Sequence, residues 1–138
     1  TTGTLFVTTI GPGLSLNLGT KTLDTVGGGF NLTWFTVTTS TAMQTASGYV
    51  ANGGALVVLT LPTTAAVGDA IMIIVRGAGL WSIAQGVSQV IHFGNTSTTT
   101  GVGGSITSLT RYATMTLICS VANLEWTVMA SEDQFTVV

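Results

Sequence analysis

The sequence contains very little charge. Asp, Glu, Lys and Arg make up only 6% of its 138 residues, where about 25% is typical of soluble domains. The formal net charge is −2, and the three basic residues are scattered along the chain. Proteins that bind nucleic acid need a concentrated positive field to neutralise phosphates. We therefore predict no nucleic-acid partner.

Other features that the sequence lacks exclude further structural classes and kinds of site. No apolar run reaches the roughly 18 to 20 residues of a membrane span, so we predict no membrane insertion. Cys119 is the single cysteine, which excludes an internal disulfide. His92 is the single histidine and has no second histidine or cysteine pair at ligand spacing, so no metal or cofactor is predicted. The chain also lacks an initiator methionine, and we expect it to be a piece of a longer protein.

The residues that are present favour strands. Hydrophobic residues make up 46% of the chain and there are 18 glycines, while Thr and Val are frequent and favour extended backbone. No segment has a helical apolar period over three turns, and we detect no repeat at a fixed spacing. The composition predicts an all-β protein with an uncharged, hydroxyl-rich surface. Such a surface is typical of an extracellular fibre, capsid or adhesin.

The pattern of apolar residues predicts about ten short strands joined by turns, as in an antiparallel β-sandwich or jelly roll. Residues 113–121 alternate apolar and polar side chains, which is typical of a strand with one buried face. Asn52-Gly53 fits a tight hairpin turn, and Asp69 is placed to cap a turn through backbone N–H groups. Residues 95–105, which lack large side chains, are predicted to be an exposed loop. The remaining predicted segments are strands at residues 4–10, 14–19, 31–39, 55–61, 125–130 and 135–137 and a turn at Gly27–Gly29.

The stretch from Val67 to Gly94 is the most hydrophobic part of the chain. Ala70 to Val75 is apolar at every position, so neither face of that strand is patterned for water. A small sandwich rarely buries both faces of one strand by itself. We therefore expect another copy of the chain to cover the second face.

The polar residues do not form a recognisable catalytic motif. A glycosidase needs two carboxylates facing across a bond, but Glu132 and Asp133 are adjacent and the other acids lie at turns. A Ser-His-Asp site would have to use His92 as its base, and no G-x-S-x-G sequence is present. We predict that the chain is not an enzyme. His92 is either hydrogen-bonded to backbone or meets its copies on a threefold axis, where three imidazoles could hold an ion.

Ligand binding is the activity that the residue types favour. Sugars are held by aromatic faces and by amide or hydroxyl groups, in shallow sites that gain from multivalency. Trp81 just beyond a turn is either such a platform or a core residue, and Arg76 or Arg111 could meet an acidic sugar. Arg76 could instead cap a buried acid on a neighbouring subunit. The predicted ligand-binding residues are Trp81, Gln85, Gln89, His92, Asn95, Arg111 and Tyr112.

Part of the sequence resembles a known kind of module. The segments LP…AVGD, GAGLWSIAQ and HFGNTSTTTG, followed by MTLICSVANLEWTV and the closing FTVV, are similar to the C-terminal tip module of phage tail-fibre-like proteins. The same module ends trimeric surface fibres of bacteria, including the adhesive fibres of predatory bacteria. The resemblance covers residues 48–138, and residues 1–47 form a strand-rich lead-in that is part of that domain or packs on it.

This resemblance implies a homotrimer of β-sandwiches, intertwined or side by side, at the end of an extracellular fibre on a bacterial cell or a virion. The implied function is adhesion through recognition of a cell-surface polysaccharide or another surface receptor. The alternative is a structural clamp that trimerises and folds the fibre without binding a ligand. Leu80 and Ala113 depart from the residues that the family pattern has at those positions. A shared site at Arg111–Ala113 therefore does not follow from the resemblance.

Overall fold

The computed structural model describes residues 14–17, 22–25 and 31–138. The chain divides into two units, Thr1–Asn31 and Leu32–Val138. In the first unit, β1 (Leu14–Asn17) pairs antiparallel with β2 (Thr22–Thr25). The strand predicted at residues 4–10 and the turn predicted at Gly27–Gly29 lie outside the described residues.

The second unit is a two-layer β structure, and the described residues contain no helix. The strands are β3 (Thr33–Val37), β4 (Thr41–Ala42), β5 (Ser47–Ala51), β6 (Val57–Thr60), β7 (Ala70–Val75), β8 (Trp81–Ala84), β9 (Val90–Phe93), β10 (Thr96–Ser97), β11 (Ser105–Ser108), β12 (Thr114–Val121), β13 (Glu125–Glu132) and β14 (Phe135–Val137). A seven-stranded sheet has the order β10-β9-β13-β12-β7-β5-β3, and a five-stranded sheet has the order β14-β11-β8-β6-β4. The all-β prediction is confirmed.

From β3 to β8 the chain alternates between the two sheets, so the strands of this part run parallel within each sheet. Strands β3, β5 and β7 run parallel in the larger sheet, and β4, β6 and β8 run parallel in the smaller one. Each pair β3–β4, β5–β6 and β7–β8 is an arch, meaning a strand of one sheet joined by a corner to a strand of the other. Two further arches, β11–β12 and β13–β14, join the stack in antiparallel pairings.

Two sequence predictions fail because of this alternation. The sheets are not purely antiparallel, since a chain that crosses to the other sheet after each strand returns in the same direction. The turn at Asn52-Gly53 is not a hairpin, because β5 and β6 lie in different sheets. A tight local turn and a sheet-crossing corner use the same turn residues, so the dipeptide alone does not distinguish them.

The second and third arches form a repeat of 24 residues. Ser47 pairs with Ile71 and Leu59 pairs with Ile83, so both strands of the arch advance by the same 24 positions. This offset is one of strand pairing and does not contradict the prediction of no sequence repeat at a fixed spacing. The two copies share few identities beyond Gly53 with Gly77 and Leu56 with Leu80. What repeats is the backbone path and the inward-facing apolar pattern.

One continuous apolar core lies between the two sheets. It includes the fully buried Tyr49, Ile73, Trp81, Leu117 and Trp126, and burying a side chain of this size stabilises the fold by about 1.5 to 3 kcal/mol. The alternation predicted for residues 113–121 is confirmed up to Cys119. The prediction is wrong for Val121, the next inward position. Val121 is exposed because the register of β12 against β13 shifts between Cys119 and Val121.

Two loop predictions have different outcomes. The Asp69 carboxylate accepts a hydrogen bond from the Ala66 N–H at 2.8 Å, which confirms the predicted turn cap. Residues 95–105 are not simply an exposed loop, because they contain β10 and the buried Thr98. No helix among the described residues is long and apolar enough to span a membrane.

Candidate ligand-binding edge

The corners of the five arches lie along one edge of the second unit, here called the corner edge. Its corners are residues 38–40, 52–56, 76–80, 109–113 and 133–134. Backbone hydrogen bonds join each corner to its neighbours, as in the bonds from Asn52 N–H to Val37 O and from Tyr112 N–H to Val75 O. Strand pairing therefore fixes the order in which the corner side chains are displayed.

The path of the third corner depends on glycine. A Cβ atom on Gly77 would overlap the backbone of Gly53, and one on Gly79 would overlap the backbone of Ala55. The second and third corners are consequently in direct backbone contact, with Gly79 N–H donating to Gly53 O at 3.0 Å. This close packing holds the ends of the corner, Arg76 and Leu80, in fixed positions.

Both arginines of the chain lie in adjacent corners. The Arg111 guanidinium donates to the backbone carbonyl of Arg76, from Nη2 at 2.8 Å and from Nε at 3.3 Å. It also lies over the Tyr112 ring, 5.2 Å from the ring centroid. These contacts hold one face of the guanidinium, while Tyr112 itself is 64% exposed. The result is a positive charge next to an exposed aromatic ring.

This positive charge has no acidic neighbour at contact distance. Among the described residues, no carboxylate lies within 4.0 Å of either guanidinium. Arg76 and Arg111 are also the only Lys or Arg residues between positions 32 and 138. The cations of the second unit are therefore gathered at one place and are open to an anionic ligand.

The backbone at Tyr112 is strained. Its φ is 68°, a left-handed conformation that costs an L-residue with a bulky side chain about 1 to 2 kcal/mol. Leu80 and Asp133, with φ of 65° and 90°, share this conformation in neighbouring corners. Turns at Ala46, Ser88 and Asn123 share it as well, so the conformation itself is not special to the corner edge. What distinguishes Tyr112 is a large exposed ring held at such a position.

Three of the predicted ligand-binding residues are buried. Trp81 has no exposed surface and packs against Phe135 with ring centroids 5.6 Å apart. Gln85 is 4% exposed and Gln89 is 2% exposed. A side chain without accessible surface cannot stack on or bond to a ligand, so the structure places these three residues in the core rather than at a binding surface. Of the two interpretations of Trp81, a ligand platform or a core residue, the structure shows the core residue.

The two buried glutamines hold loops by hydrogen bonds. The Gln85 amide nitrogen donates to the carbonyls of Gln89, Thr99 and Gly101 at 2.7 to 2.9 Å, and its oxygen accepts from the Thr98 hydroxyl. The Gln89 side chain accepts from Gly86 N–H and donates to the carbonyl of Pro62 at 2.8 Å. These amides replace the strand pairing that the loops lack.

His92 and Asn95 lie away from the corner edge. Asn95 is exposed in the turn between β9 and β10. His92 bonds through Nδ1 to the Ser97 hydroxyl at 2.8 Å and through Nε2 to the Glu125 carboxylate at 3.1 Å. The contact of His92 with Ser97 and Glu125 was not predicted from the sequence. Gly94-Asn95, a turn dipeptide midway between His92 and Ser97, was the signal that they face each other across a hairpin.

A scan of the chain against protein-family models finds no match, and a search of curated proteins finds no similar sequence. The resemblance of residues 48–138 to fibre-tip modules therefore stays a prediction.

Proposed function

We propose that the second unit is an extracellular fibre-tip module that assembles as a homotrimer and binds an acidic cell-surface polysaccharide through its corner edge. The observation that carries this proposal is the cluster of Arg76, Arg111 and Tyr112 in adjacent corners, with no carboxylate within 4.0 Å of either guanidinium among the described residues. The corner edge binds its ligand without turnover.

The chemistry of the cluster suits a carboxylated sugar. A guanidinium presents a planar fork of donors that matches a carboxylate in two parallel hydrogen bonds. An exposed tyrosine adjacent to it offers an apolar ring face for the C–H surface of the sugar and a hydroxyl for its polar groups. Hydrogen bonds to a charged group contribute about 1.5 to 3 kcal/mol, so one site is weak. Three copies on one tip raise the overall affinity through effective concentration.

The outer face of the seven-stranded sheet at β5, β7 and β12 supports the assembly. Met72 and Ile74 point away from the core on β7, and both are half-buried. Val50 pairs with Ile74, and Ile118 lies on the same outer face of β12. An apolar face on a central strand is typical of a surface that another layer covers. In the proposal, that layer is a second copy of the chain.

Binding is tested with arrays of acidic and neutral polysaccharides. We expect the trimer to bind acidic polymers, with affinity falling as salt rises. Arg111→Ala and Tyr112→Ala should each lower binding about tenfold or more, which corresponds to losing roughly 1.4 kcal/mol. Val87→Ala, at an 81% exposed position outside the corner edge, is the matched control. Unchanged binding by Arg111→Ala would contradict the proposed site.

Assembly is tested by light scattering. The wild-type protein should have the mass of three chains at micromolar concentration, and Ile74→Lys should shift it to one chain. Thr60→Lys places the same charge on an exposed position of the other sheet and should leave the trimer intact. A wild-type monomer would contradict the proposed assembly.

The alternative function is a trimerisation and folding clamp. The apolar outer face at Met72 and Ile74 favours it, because assembly alone requires that face and does not require the corner edge. A stable trimer that binds no surface polysaccharide at high valency would establish the clamp and rule out the adhesin.

A further inference from the structure

Three side chains joined by hydrogen bonds lie on the outer face of the seven-stranded sheet at β9, β10 and β13, beside the proposed assembly face and outside the corner edge. The Ser97 hydroxyl lies 2.8 Å from His92 Nδ1, and the Glu125 carboxylate lies 3.1 Å from His92 Nε2. The His92 and Glu125 side chains are 36% and 41% exposed, so a ligand can reach them. A hydroxyl, an imidazole and a carboxylate in this order are the parts of a nucleophilic serine site.

Strand register brings the three residues together. Ser97 on β10 lies directly opposite His92 on β9, so their side chains share one face. Strand β13 runs parallel to β9 with Thr127 beside His92. Glu125, two residues before Thr127, is on that same face because side chains alternate along a strand. The arrangement therefore rests on three hydrogen-bonded strands, and each side chain comes from a different one.

The roles of the two imidazole nitrogens follow from their partners. A carboxylate only accepts hydrogen bonds, so the proton of neutral His92 is on Nε2, facing Glu125. Nδ1 is then free to accept the proton of the Ser97 hydroxyl. Glu125 orients the ring and stabilises the imidazolium that forms when His92 takes up this proton.

The backbone supplies a donor for the developing negative charge. Thr98 N–H donates to the Ile91 carbonyl across the β9–β10 pair at 2.9 Å. Because N–H groups alternate in direction along a strand, the Ser97 N–H points away from β9, and β10 is the outermost strand of this sheet. An N–H on the nucleophilic residue itself is one of the donors used in oxyanion sites.

We propose that Ser97, His92 and Glu125 form an esterase site for acyl groups carried on an exposed polymer. Ser97 Oγ attacks the acyl carbonyl while His92 Nδ1 takes its proton, and the ester C–O bond breaks as His92 returns that proton to the leaving alcohol. Water then attacks the acyl-serine, giving one proton to His92. The carboxylic acid leaves, and Ser97 regains its proton from His92.

The surroundings of the site are open. The His92 and Glu125 side chains are partly exposed and β10 is the outermost strand of its sheet, so an ester carried on a polymer can reach the site. A groove of about 230 Å³ beside the β9–β10 turn is lined by Phe93, Gly94 and Val128–Ser131 and does not include the three site residues. The inference does not depend on the proposed function of the corner edge.

The test combines covalent labelling with ester hydrolysis on the full chain. Diisopropyl fluorophosphate should add one label, mapped to Ser97 by peptide mass spectrometry. Hydrolysis of 4-nitrophenyl acetate should fall about 100-fold or more in Ser97→Ala and in His92→Gln, and less in Glu125→Gln. Ser120→Ala is the control, because Ser120 bonds to the Glu125 carbonyl without being part of the triad.

Folding of every variant is checked by circular dichroism, and Ser97→Thr keeps a hydroxyl at the same position. Labelling of Ser97 together with loss of hydrolysis in Ser97→Ala establishes the site. Hydrolysis that persists in Ser97→Ala while disappearing in His92→Gln would identify a bare surface imidazole and would overturn the proposal. Absence of any label on Ser97 would overturn it as well.

Discussion

Gly77 lies against the backbone of Gly53, the residue 24 positions earlier, so closely that a Cβ atom on Gly77 would overlap the Gly53 carbonyl oxygen. The two glycines are equivalent positions of the repeated arch, and their contact sets the spacing of the second and third corners. The corner edge therefore depends on two residues that have no functional group of their own.

Replacing Gly77 with Ala should destabilise the protein. The added methyl group has only backbone to displace, so we expect the free energy of unfolding to fall by about 2 kcal/mol or more. Urea denaturation measures this change. Gly54→Ala is the control, because nothing lies within 4 Å of a Cβ at that position. It should leave stability unchanged or raise it by up to about 1 kcal/mol, and equal losses in the two variants would show that packing at Gly77 is not the cause.

Removing the side-chain amide of Gln85 should lower the free energy of unfolding. Gln85→Met keeps a similar volume but removes the donor to the Thr99 carbonyl and one of the two donors to each of the Gln89 and Gly101 carbonyls. One buried group left unsatisfied costs about 1 to 3 kcal/mol, so we expect a loss of about that size in chemical denaturation. Gln134→Met, at an exposed position, should change little. A loss below about 1 kcal/mol in Gln85→Met would contradict the role assigned to the amide.

Position 112 should invert the usual stability order of Ala and Gly. At ordinary positions Ala is the more stabilising of the two by about 0.4 to 1 kcal/mol. At the positive φ of Tyr112 only Gly is free of strain, so Tyr112→Gly should have a higher melting temperature than Tyr112→Ala. Ser120, which has no positive φ, should show the ordinary order with Ala above Gly. Both Tyr112 variants should lose polysaccharide binding, which separates the function of the ring from the strain of its backbone.

The buried Cys119 should make stability fall in alkali. Desolvation raises the pKa of the Cys119 thiol in the folded protein. A backbone hydrogen bond from Asn123 lowers the pKa by a smaller amount, and the negative charge of Asp69 makes the smallest contribution, which raises it. The unfolded chain releases the proton at the ordinary value, so the free energy of unfolding falls as the pH rises above about 8.5. The stability of wild type relative to Cys119→Ala should decline from that pH upward. If the difference in stability between wild type and Cys119→Ala does not change between pH 7 and pH 10, the thiol is not desolvated.

Several strands could be predicted from sequence because their signals are local, whereas β5, β10 and β11 were not predicted. Ala70–Val75 was predicted with the bounds that it has, and the alternation around Leu117 identified the buried face of β12. The pairing of strands could not be predicted, because nothing in the sequence around Asn52-Gly53 states whether the next strand joins the same sheet. The 24-residue repeat was hidden for a related reason. Its two copies share backbone path more than residue identity.

The candidate residues divide in a similar way. Arg111 and Tyr112 were identified from their types, and the structure places both on the surface. Trp81 lies beyond a turn, as predicted, but a corner between sheets directs the next residue into the core. The partners of His92 were missed because Glu125 is far along the chain and reaches His92 only through the parallel pairing of β9 with β13.

The stacking of the arches also sets the distance between neighbouring corners along a bound ligand. Neighbouring strands are about 4.8 Å apart, so five corners form a row of about 19 Å in which each corner occupies a set position. The corners differ in length, from residues 133–134 to residues 76–80, while the strands that they join remain paired. A change in an exposed corner side chain, away from the contacts of Gly77 and Gly79, would therefore alter a single position along a bound polymer and leave the others unchanged. Ligand preference could then diversify corner by corner without cost to the sheets beneath.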